Sequence, residues 1–131
     1  MKDSYIGVKS GRLSACPDKP NCVSTQADQE EKRMSPLPFT RDLETSKKHI
    51  MNVLGDMDRT KVEIEEDHYI HTVVTTKVLK FKDDVEFYFD PDERVIHFRS
   101  ASRVGYSDFG VNKKRMQEIS KKYEQVRRQE L

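Results

Sequence analysis

The chain has 131 residues, room for one core but not two. Apolar residues make 34% and charged residues 36% of it, yet the net charge is only +1. A small core beneath a dense but nearly neutral charged surface is expected, since Leu, Ile, Val and Phe still make ~23%. No apolar run approaches ~18 residues, which excludes a membrane-spanning helix, and two cysteines exclude both a disulfide framework and a four-cysteine zinc site.

Residues 1–35 hold Gly7, Gly11, Pro17 and Pro20 without apolar periodicity. They predict an irregular arm that wraps, or stays partly loose from, a single α+β domain spanning 36–131. Ser35–Phe39 carries two prolines that cannot donate to a ladder, so it reads as a short edge strand. From Arg41 to Met57 the apolar residues Leu43, Ile50, Val53, Leu54 and Met57 recur at helical spacing, with Thr40 as the expected N-cap and Gly55 as the stop.

The period then changes to two. Strands are expected over Lys61–Glu65, His68 to about Lys80, Asp84–Asp90 and Arg94–Ser100. The third and fourth are joined at Asp90-Pro91-Asp92-Glu93. A two-residue loop there sets Asp84 opposite Arg99, Glu86 opposite His97, Val85 opposite Phe98 and Phe87 opposite Ile96. The long strand is apolar on both faces, so its register stays open. Asn112–Arg128 is helical, with Met116, Ile119, Tyr123 and Val126 on one stripe. The order β-α-β4-α predicts one antiparallel sheet of about five strands with two helices on one face, as in TATA-binding-protein-like and helix-grip folds.

Three segments can carry chemistry. The first runs from Arg99 through Ser100, Ser102, Arg103, Gly105, Asp108 and Gly110 into Asn112 and Arg115. It passes from a strand end through a glycine loop to a helix start, where free amides and guanidinium groups suit an anion. Arg99, Arg103 and Arg115 would hold it and Ser100 and Ser102 would orient it. The plainer reading pairs Arg99 with Asp84 and gives Asp108 and Asn112 capping duties.

The second segment is Asp83-Asp84-Val85-Glu86, whose Asp84 and Glu86 share one strand face. Paired carboxylates can bind a hard cation or move protons, or simply face Arg99 and His97 across the hairpin for roughly 0.2–1 kcal/mol each. No metal or cofactor is expected. The third is Cys16-Pro17-Asp18-Lys19-Pro20-Asn21-Cys22, where a disulfide, a redox pair or one nucleophilic thiol is open, the plainer reading being two buried small apolar residues that tie the arm to the core. Without an apolar N-terminal stretch the expected compartment is cytoplasmic, where stable disulfides are rare. His71 inside the long strand reads as structural. The last 20 residues hold seven Lys/Arg and three Glu, a basic helix better explained by solvation than by nucleic acid.

Together these motifs resemble the Domain of Unknown Function 1499 family over roughly residues 11–125. The matching residues are Cys16-Pro17-x-x-Pro20-Asn21-Cys22-Val23-Ser24, Asp83-Asp84-Val85-Glu86-Phe87, and Arg99-Ser100-Ala101-Ser102-Arg103-Val104-Gly105 with Asp108, Gly110, Asn112 and Arg115. Lys113 stands where Arg is expected. The resemblance implies a bacterial and plastid-type family without an agreed activity, and it assigns no catalytic residue.

The sequence therefore predicts a non-enzymatic domain that binds a small anion or an acidic peptide, with Asp84, Glu86, Cys16 and Cys22 in support. Neither a membrane nor nucleic acid is expected as partner, and the oligomeric state is left open. An enzyme using a Cys22 thiolate with Asp84 or Glu86 as acid–base groups is the alternative. A carrier of apolar ligands is a further one.

Overall fold

The computed structural model describes residues 6–130; the first five residues of the expected arm lie outside them. The arm holds β1 (Val8–Lys9), β2 (Arg12–Leu13) and β3 (Cys22–Ser24), then a 3-10 turn at Glu30–Lys32. There follow β4 (Leu37–Pro38), α1 (Leu43–Gly55), β5 (Thr60–Glu65), β6 (Tyr69–Thr75), β7 (Lys82–Asp90), β8 (Val95–Ser102) and α2 (Val111–Glu130). β1 and β2 form a separate ribbon, and the other six strands make one antiparallel sheet in the order β3-β8-β7-β6-β5, with β4 also on β8.

The α+β class and the two helices agree with the sequence, but the expected five-strand sheet and its order do not. The arm is the reason. Cys22, Val23 and Ser24 pair with Ala101, Ser100 and Arg99, while Leu37 and Pro38 pair farther along the same edge with Ile96 and Val95. A three-residue and a two-residue strand carry no legible period-two signal. The proline pair at Pro36 and Pro38 does sit at an edge, as expected.

Both helices pack on one face. Ile50, Val53 and Leu54 of α1 and Met116, Ile119 and Tyr123 of α2 join Ile70, Val85, Phe87, Phe89, Ile96 and Phe98 in one buried cluster. The N-cap of α1 is Asp42, whose Oδ1 accepts from the Thr45 amide at 2.8 Å. That backbone hydrogen bond holds the Asp42 carboxyl below its ordinary range. Thr40, expected there, is fully buried two residues earlier and hydrogen-bonds the Tyr123 hydroxyl at 2.9 Å.

The β7–β8 hairpin keeps the expected faces but is displaced by two residues. Glu86 lies opposite Arg99, Phe87 opposite Phe98, Tyr88 opposite His97 and Asp84 opposite Ala101. The loop has four residues, not two, because Asp90 Oδ1 accepts the amides of Asp92 and Glu93, and Arg94 closes the turn at φ 58°. A two-residue displacement preserves the alternation of faces, so hydrophobic patterning cannot detect it. The long strand ends at Thr75, and residues 76–81 form a loop. β6 to β8 are buried on both faces because the arm lies across the face that the helices leave open.

Candidate functional site

The sheet divides the expected site in two. Side chains alternate along β7 and β8, so Asp83, Ser100 and Ser102 fall on the helix side, with Asn112 and Arg115 of α2. Asp84, Glu86, Arg99 and Arg103 fall on the arm side.

On the helix side, Arg115 Nη2 meets Asp83 Oδ2 at 2.7 Å, and Nη1 donates to Asn112 Oδ1 at 2.8 Å. The Asn112 side-chain amide donates to Asp108 Oδ2 at 2.7 Å, to Ser102 Oγ at 3.0 Å and to the Asn21 carbonyl at 3.3 Å. Asp108 also takes the amides of Gly110 and Asn112, so it caps the start of α2. Asn112 lies inside the helix, not at its cap. This half of the segment is a dense hydrogen-bond network that ties arm, strand and helix together, with buried Asp83 Oδ1 and Asn21 Oδ1 left without a partner among the described residues.

On the arm side, Glu86 is fully buried and accepts from Tyr69 Oη and from the Gly7 amide, each at 2.6 Å, with Arg99 Nη1 at 3.5 Å. Asp84 accepts from Arg103 Nε at 3.0 Å and Nη2 at 2.9 Å, and lies 2.7 Å from His71 Nε2. Arg99 therefore pairs with Glu86 and not with Asp84, which Arg103 takes instead. The two-residue displacement of the hairpin is the cause. Burial pushes the Asp84 carboxyl up, but the hydrogen bonds from His71 and Arg103 together outweigh it and hold it below its ordinary value. Burial, then Glu86, pushes the Tyr69 hydroxyl far up, so it remains a donor.

An ionised Asp84 only accepts, so it fixes the His71 proton on Nε2. The buried Nδ1 then has no partner among the described residues. His71, Tyr69, Gly7, Glu63, Glu66 and Arg103 line a cleft of about 660 Å3.

A second cleft of about 290 Å3 opens between the cysteine loop and the same face of the sheet. Pro17, Lys19, Asn21, Asp84, Arg99, Ala101, Ser102 and Arg103 line it. Cys16 and Cys22 are joined in a disulfide that packs on Ala101. Buried Lys32 donates from Nζ to the carbonyls of Pro17 and of Lys19 (2.8 Å to the latter), which holds the loop in place.

The sequence reading missed His71, Tyr69 and Lys19 as parts of this region. The odd-numbered positions of β6 share a face with Asp84 and Glu86, but seeing that requires the β6 register. Asp90, Glu93 and His97 bring potential metal-ligand atoms within 4.8 Å of one another. The turn amides on Asp90 and the hydrogen bond of His97 Nδ1 to Thr25 Oγ1 account for that cluster.

The family model described as "Protein of unknown function (DUF1499)" matches residues 12–122, from β2 into α2. The chain belongs to the DUF1499 family. All three segments that carry the site lie inside the DUF1499 match, so the cysteine loop and the strand-to-helix segment belong to one unit. No curated protein and no solved structure matches the chain.

Proposed function

We propose that this DUF1499 protein is a binding domain for a small anion, with the ligand seated in the cleft between the cysteine loop and the outer face of β7 and β8. The observation that carries this reading is the lining. Lys19, Arg99 and Arg103 face it against one carboxylate, Asp84. Arg99 Nε–H is buried without a partner among the described residues, and an unmet buried donor favours a ligand that supplies an acceptor. The helix-side residues Ser100, Asp108, Asn112 and Arg115 act as scaffold, and Asp84 positions Arg103.

The enzymatic alternative loses its nucleophile, because Cys22 is disulfide-bonded and offers no thiolate. A carrier of the helix-grip kind is disfavoured as well. Phe87, Phe89, Phe98, Met116, Ile119 and Tyr123 fill the space between helices and sheet. The paired cysteines also favour an oxidising compartment over the cytoplasmic one expected from the sequence.

The test uses citrate and inorganic phosphate as probes, followed by the Nε–H resonances of Arg99 and Arg103. Saturable shifts of the Arg99 resonance are expected, and Lys19→Ala should weaken them several-fold at an unchanged melting temperature. Lys19 is exposed, so its loss leaves no buried group unpaired. Silence of both resonances with both probes, or an unchanged affinity in Lys19→Ala, refutes the reading.

A further inference from the structure

Seven large apolar side chains are exposed among the described residues: Val78, Leu79, Phe81, Val104, Tyr106, Phe109 and Val111. All seven lie in two neighbouring segments, the β6–β7 loop and the run from β8 into α2. These segments adjoin because the Arg103 amide donates to the Lys82 carbonyl. Between them is an apolar groove of about 240 Å3 lined by Val78, Leu79, Phe81, Val104, Phe109 and Val111. Phe109 is 93% exposed, Val78 82% and Tyr106 70%. Phe109 also adopts a left-handed backbone, φ 54°, which a bulky residue rarely does. Single exposed apolar residues need no explanation, but their confinement to one end of the molecule does.

Charge is polarised along the same axis. Lys77, Lys80, Lys82, Lys113 and Lys114 are exposed around the apolar tips, as is Arg103, whose guanidinium is paired with Asp84; the acids on this side are Asp108 and, beside Lys113, Asp18 and Glu31. The opposite end of the strands carries Glu66, Asp67, Asp90, Asp92 and Glu93 against Arg94 and its neighbour Arg41. A chain of net charge +1 thus presents one apolar end with a surplus of lysine and one end with a surplus of acids.

We propose that the apolar, lysine-rich end docks on an anionic lipid surface, with Leu79, Tyr106 and Phe109 entering the interfacial layer and the lysines contacting the headgroups. Apolar tips within a lysine ring match both forces that hold a peripheral protein to such a surface. Lysine is depleted in protein–protein interfaces, yet five of the six cations here are lysines. The aliphatic Val78, Leu79, Val104 and Val111 have no ring on which a nucleic-acid base can stack. The sequence expectation of no membrane partner rested on the lack of a spanning segment. No helix among the described residues is long and apolar enough to cross a membrane, but a surface-bound protein needs none.

The experiment is co-sedimentation of the full chain with phosphatidylcholine vesicles, with and without about one third phosphatidylserine. Binding to the anionic vesicles alone is expected, falling with salt. The double variant Leu79→Glu, Phe109→Glu should abolish it without a change in melting temperature, and Lys77→Gln with Lys80→Gln should weaken it about 5-fold per lysine. The chain has no tryptophan, so Phe109→Trp reports alone, and its emission should shift to the blue on anionic vesicles. Wild-type protein that stays in the supernatant overturns the proposal, as does equal sedimentation of the double Glu variant. A solution dimer that the double variant dissociates, without vesicle binding, assigns the face to a second copy instead. None of these variants touches the Lys19 cleft, so this proposal and the anion-binding reading can fail separately.

Discussion

Arg115→Met tests whether the arginine of the strand-to-helix segment is scaffold. Asp83 is buried, and among the described residues Arg115 is its one salt-bridge partner and Asp83 Oδ1 has no hydrogen-bond partner. Removing the guanidinium strands a buried carboxylate, and breaking such a pair costs about 3–5 kcal/mol. Met keeps most of the apolar stem, so little of that loss comes from packing. In a domain of this size the melting temperature should fall by roughly 9–25 °C, at about 3–5 °C per kcal/mol.

The double variant Asp83→Asn, Arg115→Met removes the charge as well as its partner. It should recover about 0.5–3 kcal/mol relative to Arg115→Met alone, the range over which neighbours in one network couple. Recovery should be incomplete, since Arg115 Nη1 also bonds Asn112 Oδ1 and Ser100 Oγ. Urea unfolding followed by circular dichroism, with both single variants and the double, closes the cycle. A loss below ~1 kcal/mol in Arg115→Met, or a double variant no more stable than that single, would refute the assignment of Arg115 to the scaffold.

Two further predictions follow from the arm side of the sheet. Asp84 has a lowered pKa in the folded state, so its stabilisation is fully present above its unfolded value of ~3.9 and is lost as pH falls through the lower folded value. Asp84→Asn should therefore be less stable than wild type at neutral pH and lose less stability on acidification; parallel urea midpoints between neutrality and acid would contradict this. Reducing the Cys16–Cys22 bond, whose sequence separation is 6, should cost about 2 kcal/mol by loop-closure entropy. Urea midpoints with and without dithiothreitol measure it, and equal midpoints with both thiols demonstrably freed would rule out a stabilising role for the bond.

Hydrophobic period carried most of what was legible before folding. The spacing of Ile50, Val53 and Leu54, the stripe of Met116, Ile119 and Tyr123, and the alternation of Val85, Phe87 and Phe89 each identify an element. They also identify the face it buries, because a side chain's direction repeats with backbone geometry. The three site segments were legible too, through their density of Arg, Ser, Asp and Cys. Only the tertiary structure decided which of those residues meet. The Asp90 side chain lengthens the hairpin loop by two residues, and that gives Arg99 to Glu86 and Asp84 to Arg103, although neither strand's pattern changes. The arm supplies β3 and covers the open face, turning expected surface charges into buried pairs. The sheet itself sets Ser100, Asn112 and Arg115 on one side and Arg99 and Arg103 on the other. A sequence specifies direction along each strand locally, but register, strand partners and what covers a face arise from contacts between residues far apart in the chain, and no local pattern encodes them.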